Sequence, residues 1–335
     1  MQLITLDFET FYDTGFSLSG LTTEEYIRSP QFQVIGIGVK VNEEDTKWHT
    51  GTKDELQSIL DGYNIQDSAL LCHNMLFDGA ILSFIFNISP KLYIDTLCMA
   101  RAIHGVNVGG SLAFLVEKYK LGQKGTEVID AKGKRLENFS LAELDRYGGY
   151  CKNDVELTYK LFNVLAQDFP QNEIDLIDIT IRMYTEPTLE VNDAILIERL
   201  EIVKNDKQSL LAGLMNRLNC HSEEEVRVIL ASNKQFAELL TELNIPVPIK
   251  VSPATGKDTF ALAKNDVGFI ELTEHEDIFI QELCRVRLGT KSTMEESRIE
   301  RFLGIGKRNA GRLPIPLKYY GAHTGRWAGL EKVNF

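Results

Sequence analysis

Leu3-Ile4-Thr5-Leu6-Asp7-Phe8, close to the start of a chain of 335 residues, reads as a β-strand, with Glu9 and Thr10 following at its end. Successive side chains of a strand point to opposite faces, so Asp7 and Glu9 share one face of a sheet. D-x-E pairs arise by chance in most long sequences. On an otherwise apolar strand, however, two carboxylates on one face repel each other unless a cation neutralises them. Asp7 and Glu9 are therefore candidate metal ligands.

Working outward, a turn-rich stretch with Gly15 and Gly20 leads to a second strand over 33–41 and a third over 46–50. Lys53 to Leu60 has helical spacing, and Ala69 to His73 is a short apolar strand running into a helix from Met75 to about Phe86. Leu92 to Asp95 completes the strands. This mixture predicts an α/β domain with helices covering a central sheet. Beyond Ser111 the strand signal fades. A helix over Ser111–Tyr119 precedes a polar loop through Gly133, and Leu141–Leu165 reads as a long helix with a break expected at Gly148-Gly149. Amphipathic helices follow over Glu173–Tyr184, Ala194–Leu218 and Phe236–Leu243. Pro246–Lys257 reads as a connection, and Glu276–Phe302 as helix. The domain boundary is placed at Asp168-Phe169-Pro170, giving domains 1–168 and 169–335.

Two further groups carry chemistry. His73-Asn74-Met75-Leu76-Phe77-Asp78 begins where a strand ends and brings a carboxylate into the first helical turn. Taken alone, Asn74 reads as a helix cap and Asp78 as a charge favouring the helix dipole. Tyr150-Cys151-Lys152-Asn153-Asp154 places Tyr150 and Asp154 one turn apart on one helix face. Alone, that pair reads as a buried tyrosine and an exposed aspartate.

Together the three groups resemble the DEDDy exonucleases, a proofreading superfamily with a ribonuclease H-like fold. Leu6-Asp7-Phe8-Glu9-Thr10 is similar to the first motif, Asn74-x-x-Phe77-Asp78 to the second and Tyr150-x-x-x-Asp154 to the third, in the same order. Asp95-Thr96 and Ser111-Leu112-x-x-Leu115 look like family positions between the motifs. The resemblance covers about residues 1–165. It implies a ribonuclease H-like mixed sheet flanked by helices and a 3′→5′ exonuclease using two divalent cations, Mg²⁺ or Mn²⁺. Phosphodiester hydrolysis needs charge stabilised on both the attacking and the leaving oxygen, and two cations roughly 3.5–4 Å apart do so. By the same resemblance Asp7 would bridge both metals, Glu9 and Asp154 would complete the water-activating site, and Asp78 would hold the second metal. Tyr150 would position water rather than act as a base, since a tyrosine ordinarily titrates near 10. Phe8, Thr10 and Asn74 are implied contacts to the terminal nucleotide.

The second half carries its own resemblance. Leu317-Lys318-Tyr319-Tyr320-Gly321-Ala322-His323-Thr324-Gly325-Arg326-Trp327 looks like the segment of bacteriophage-type family A DNA polymerases where thumb meets palm. Ser232-Asn233-Lys234-Gln235-Phe236 and Lys291-Ser292-Thr293 resemble the thumb helices of those enzymes. Residues 169–335 are thus expected to form a mostly α-helical thumb-like region, with Arg326 contacting the primer terminus. The sequence stops before palm aspartates appear, so no polymerase activity is expected of this chain alone. The alternative for the basic tail is a solvated end.

Composition agrees with a soluble enzyme. Hydrophobic residues make up 44% and charged residues 25%, and no apolar run reaches the roughly 20 residues of a membrane span. No signal peptide is evident, so the reading is cytoplasmic. Cys72, Cys98, Cys151, Cys220 and Cys284 are scattered, which predicts buried reduced thiols rather than a zinc site or disulfides. The net charge of −12 excludes a generic nucleic-acid-coating protein. Between Arg298 and Lys332, eight Lys/Arg stand against two Asp/Glu, so backbone contacts to DNA are expected there. The expected substrate is a single-stranded or frayed DNA 3′ end. Two alternatives are an RNA-trimming exonuclease of the same superfamily and a split-polymerase subunit binding a polypeptide that carries palm and fingers.

Overall fold

The computed structural model describes residues 1–125, 131–291, 293–331 and 333. Residues 126–130, inside the polar loop, and Ser292 of the Lys291-Ser292-Thr293 motif lie outside this set. By contacts the chain forms two compact units, residues 1–190 with 308–335 and residues 191–307.

The first unit is built on a five-stranded sheet with the order β3-β2-β1-β4-β5. Its strands are β1 (Leu3–Thr10), β2 (Val34–Val41), β3 (Lys47–Thr50), β4 (Ala69–Cys72) and β5 (Leu92–Asp95). β1, β2 and β3 run antiparallel, whereas β1, β4 and β5 run parallel. This is the expected ribonuclease H-like mixed sheet. Seven helices accompany it: α1 (Thr23–Arg28), α2 (Lys53–Asp61), α3 (Met75–Phe86), α4 (Thr96–His104), α5 (Leu112–Lys118), α6 (Leu141–Leu165) and α7 (Gln171–Thr185). α1 and α4 are additions to the sequence reading. α1 starts at a capping box in which Thr22 accepts from the Glu25 N–H and Glu25 answers the Thr22 N–H.

β1 pairs with β4 only over Leu3–Thr5, while its pairing with β2 continues to Thr10. The carboxyl end of β1 therefore overhangs the end of β4, at the edge where α3 and α4 begin. In open α/β sheets this edge is the usual location of ligand sites.

Glycines set how closely α6 approaches. Asp7 lies opposite Gly38 and Glu9 opposite Gly36. A Cβ on Gly38 would stand 2.9 Å from both Cys151 Sγ and Val155 Cγ2, and one on Gly36 would stand 2.2 Å from the Trp48 ring. Trp48 also fills the space at Gly148, where a Cβ would meet its ring at 2.5 Å. α6 is consequently one continuous helix. The expected break at Gly148-Gly149 does not occur, because Gly148 serves close packing against Trp48.

The second unit is described by itself. It contains α8 (Asp193–Met215), α9 (Glu223–Ala231), α10 (Asn233–Glu242), the exposed hairpin β6 (Ile249–Val251) and β7 (Asp258–Phe260), α11 (Val267–Thr273), α12 (Ile278–Lys291) and most of α13 (Met294–Arg308). Leu214, Val226, Leu230, Phe236, Leu240, Phe269, Leu283 and Val286 form its core. The hairpin stands where a plain connection was expected. In the Ser232–Phe236 motif, Ser232 caps α10 and Phe236 lies in the core beneath the buried Arg287 guanidinium, at 4.3 Å. Arg287 donates to the Leu230 and Ser232 carbonyls at the end of α9 and, at 2.6 Å, to Asn233 Oδ1.

The first unit is completed by the tail, with β8 (Leu317–Lys318) and β9 (Ala328–Gly329). The compact units thus do not divide at Asp168-Phe169-Pro170. Ile174, Ile177, Ile181 and Tyr184 of α7 are buried in the first core, as is Tyr319 of the tail. The tail is folded rather than solvated. Leu313 and Ile315 donate from their backbone N–H groups to the Leu189 and Met183 carbonyls, and Arg308 forms a two-pronged pair with the buried Glu24 at 2.7–3.0 Å. Cys72, Cys98, Cys151 and Cys284 are buried free thiols, and Cys220 is half-buried. Among the described residues no helix is long and apolar enough to cross a membrane.

Candidate active site

Four carboxylates from three segments, β1, α3 and α6, converge on the overhanging end of β1. Glu9, Asp78 and Asp154 are buried and Asp7 is half-buried. Because β4 leaves the outer part of β1 unpaired, the Phe8 N–H is free to donate to Asp78 Oδ1 at 3.0 Å. The approach of α6 onto Gly38 brings Cys151 and Asp154 over the same point. Ligand atoms of Asp7, Glu9 and Cys151 lie within 4.8 Å of one another.

The electrostatics follow from burial. Desolvation first, and the Asp154 charge second, push the Asp7 carboxyl up to about 7. Glu9 and Asp78 are raised well above the usual carboxylate range by burial, and then by the Asp7 charge. Opposing these, the Lys124 ammonium sits 2.5 Å from Asp154 Oδ2 and 5.3 Å from the centre of the Tyr150 ring. A cluster of buried acids that lacks enough positive charge is a site made for cations, and hard oxygen donors suit Mg²⁺ or Mn²⁺. Cys151 is a softer neighbour; its thiol, raised by burial, donates to the Asp7 carbonyl at 3.4 Å.

A pH prediction follows. The metal-free folded state keeps a proton on Asp7 that the unfolded chain releases near its ordinary value of 3.8. Folding is favoured below that value, and this contribution is lost as pH rises from about 4 to about 7. In EDTA, Asp7→Asn should therefore melt above the wild type at pH 8, with the gap closing near pH 4. Parallel melting curves at both pH values test this.

Each expected site residue has a definite place. Tyr150 is buried, and burial, followed by the Asp154 charge, raises its hydroxyl above its ordinary value of 10. Its phenolate is thus even less available at neutral pH than the sequence implies. Phe8 turns away from the carboxylates into the core and stacks on Phe86 at 5.9 Å. Its side chain offers no contact to a nucleotide, and its contribution is the backbone N–H held by Asp78. The Thr10 hydroxyl is 2.9 Å from the Tyr26 hydroxyl. Asn74 occupies the cap position of α3 in a left-handed conformation, φ 76°, and makes no side-chain cap bond. Its N–H donates to Asp95 Oδ1 at 2.9 Å, and its exposed side chain faces outward. Asp95 also takes the Leu97 N–H, so the family-like Asp95-Thr96 pair braces the loop that carries Asn74. Arg326 is exposed in the tail, with its guanidinium on Thr324 Oγ1.

Three residues of the site were not anticipated. Lys124 had no local signal, since its partner lies thirty residues away. Cys151 and Tyr147 did have one, because positions 147, 150, 151 and 154 form a single helical stripe. The Tyr147 hydroxyl donates to Glu9 Oε2 at 2.5 Å. Beside the carboxylates, His73, Asn74, Arg101, Ser111, Lys124 and Lys318 line a cavity of about 530 Å³ whose wall, among the described residues, holds no acidic one.

Comparison with known proteins bears on this geometry. Residues 33–169 match the family model described as 3′-5′ exonuclease, a span that includes Asp78, Tyr150 and Asp154. DNA polymerase I of Borreliella burgdorferi is 28% identical over 243 residues, 69% of this chain and 25% of the relative. Among solved structures, the POL domain of Pol1 from M. smegmatis, in complex with DNA primer-template and dNTP, superposes with a TM-score of 0.59 at 13% identity. That match covers all of this chain and 52% of the other. NrnC of Brucella melitensis reaches a TM-score of 0.41 at 14% identity, over 55% of this chain and 83% of its own. The chain thus spans about a quarter of the curated relative and about half of the polymerase structure. Residues 33–169 match the 3′-5′ exonuclease domain of the DNA polymerase A family, within a chain related to DNA polymerase I.

Proposed function

We propose that this chain hydrolyses the 3′-terminal nucleotide of DNA by two-cation catalysis, as the proofreading part of a family A polymerase. The carrying observation is the convergence of Asp7, Glu9, Asp78 and Asp154 on one point, where burial first and neighbouring charge second push Asp7, Glu9 and Asp78 up. The cluster fits divalent cations by donor type and by charge. Asp7 would be shared between two ions, with Glu9 and Asp154 serving one and Asp78 the other. When bound, such ions stabilise negative charge on the attacking and leaving oxygens.

The chain's own residues do the rest. The raised hydroxyl of Tyr150 stays protonated at neutral pH, so it can orient a water by hydrogen bond but cannot act as a bulk base. The cavity lined by Arg101, Lys124 and Lys318 stands out in a protein of net charge −12, and it suits the phosphates that precede the scissile bond. Asn74 at its wall is placed to meet the terminal nucleotide. In this reading residues 1–168 form the exonuclease domain and residues 169–335 a thumb-like region.

The deciding experiment digests 3′-end-labelled single-stranded DNA with the purified chain, with Mg²⁺ or Mn²⁺ and with EDTA. Stepwise loss of 3′ nucleotides, stopped by EDTA, is expected. Persistence of the label with either metal would refute the reading. An RNA strand of the same sequence, run in parallel, reports sugar preference.

A further inference from the structure

We infer that Tyr147 is a positioning residue for Glu9, acting on the cation site rather than on the attacking water. The inference rests on the nuclease reading above and assigns a division of labour between two tyrosines one turn apart.

The hydroxyl of Tyr147 donates to Glu9 Oε2 at 2.5 Å, and both side chains are buried, at 3% and 7% exposure. A charge-assisted hydrogen bond of this length in a dry setting is strong and directional. It engages one of the two carboxylate oxygens and so fixes the direction in which Glu9 presents the other to a cation. The tyrosine itself is clamped. Its ring stacks on Phe139 at 5.7 Å with planes 7° apart, and on Tyr150 at 6.3 Å with planes 18° apart. The edge of Trp48 closes a third side at 6.3 Å. Trp48 is in turn fixed between Gly36, the residue opposite Glu9, and Gly148, the residue after Tyr147. Sheet, helix and aromatic stack therefore converge on the orientation of one carboxylate.

Tyr150 lacks such a bond to Glu9; its charge neighbours are Asp154 first and Glu9 second. Tyr150 is instead hydrogen-bonded to Asp154, so the two tyrosines engage different carboxylates of the cluster. Partners that orient a metal ligand typically contribute 10–100-fold in metal affinity.

The test titrates the full chain with Mn²⁺ and follows free Mn²⁺ by electron paramagnetic resonance, comparing wild type, Tyr147→Phe and Tyr150→Phe. Tyr147→Phe keeps the ring stack and removes only the donor. About a 10-fold or greater weakening of Mn²⁺ binding is expected, with exonuclease turnover recovering at high Mn²⁺. Tyr150→Phe should lower turnover in a way that high Mn²⁺ does not restore. Superimposable isotherms for wild type and Tyr147→Phe would overturn the inference while leaving the nuclease reading intact. A wild type that binds no Mn²⁺ would overturn both. Phe139→Leu controls for packing, since it loosens the stack but keeps the hydroxyl. Unchanged affinity there supports the hydrogen bond as the cause, and a loss equal to that of Tyr147→Phe overturns it.

Discussion

Asp7→Ala should abolish release of 3′-terminal nucleotides, with a loss of roughly 10³-fold or more, about 4 kcal/mol of transition-state stabilisation. Asp7 holds the centre of the cluster. After burial, its charge is the second cause of the raised pKa of both Glu9 and Asp78, and the Asp154 charge is the second cause of its own. Removing it leaves the other acids too far relieved of mutual repulsion to demand a cation, and takes away the one carboxylate that two ions could share. The same substitution should not unfold the protein. It relieves the repulsion that burial imposes on the metal-free state, so its melting point in EDTA at pH 8 should equal or exceed the wild type's. Asp154→Ala should lose activity similarly, but for a second reason, because it also frees the Lys124 ammonium held at 2.5 Å. Gel analysis of labelled DNA beside melting curves separates the two properties. Digestion at wild-type rate by carefully purified Asp7→Ala would remove Asp7 from the mechanism.

Much of this arrangement was legible before any coordinates. Strand alternation put Asp7 and Glu9 on one face, and the 150/154 spacing put Tyr150 and Asp154 on one side of a helix. Both inferences use only the local periods of the backbone, which tertiary contacts rarely change. What could not be read depended on partners distant in sequence. Lys124 meets Asp154 across thirty residues. Gly148 reads as a helix breaker until Trp48 is found filling the space beside it. The solvated reading of the tail fails because Tyr319 joins the first core, while Leu313 and Ile315, among basic residues, are buried and hydrogen-bonded to Leu189 and Met183. Phe8 shows the opposite error. The resemblance implied a substrate contact for Phe8, but the same alternation that aligns Asp7 with Glu9 turns its side chain into the core.

Gly38→Ala should damage both stability and catalysis, although Gly38 carries no functional group. Its added Cβ would stand 2.9 Å from Cys151 Sγ and 2.9 Å from Val155 Cγ2, closer than real carbon contacts allow. Cys151 and Val155 are fully buried, so neither side chain can swing into solvent, and the strain must be taken up by α6 moving off the sheet. Overpacking of this kind costs about 1–3 kcal/mol. The helix that moves also carries Tyr147, Tyr150 and Asp154, whereas Asp7 and Glu9 stay on β1. Even a shift of about 1 Å between reacting groups can lower a rate on the order of 10²-fold, so activity should fall further than stability alone explains. A compensating change tests the cause. Gly38→Ala combined with Cys151→Ala removes the sulfur, one of the two close contacts. The double variant should recover part of the lost melting temperature and of the activity, because α6 can settle back over Asp7. If Cys151→Ala adds its own cost with no recovery, the approach of α6 is not limited at this point, and the glycine on β2 owes its presence to something other than the site opposite it.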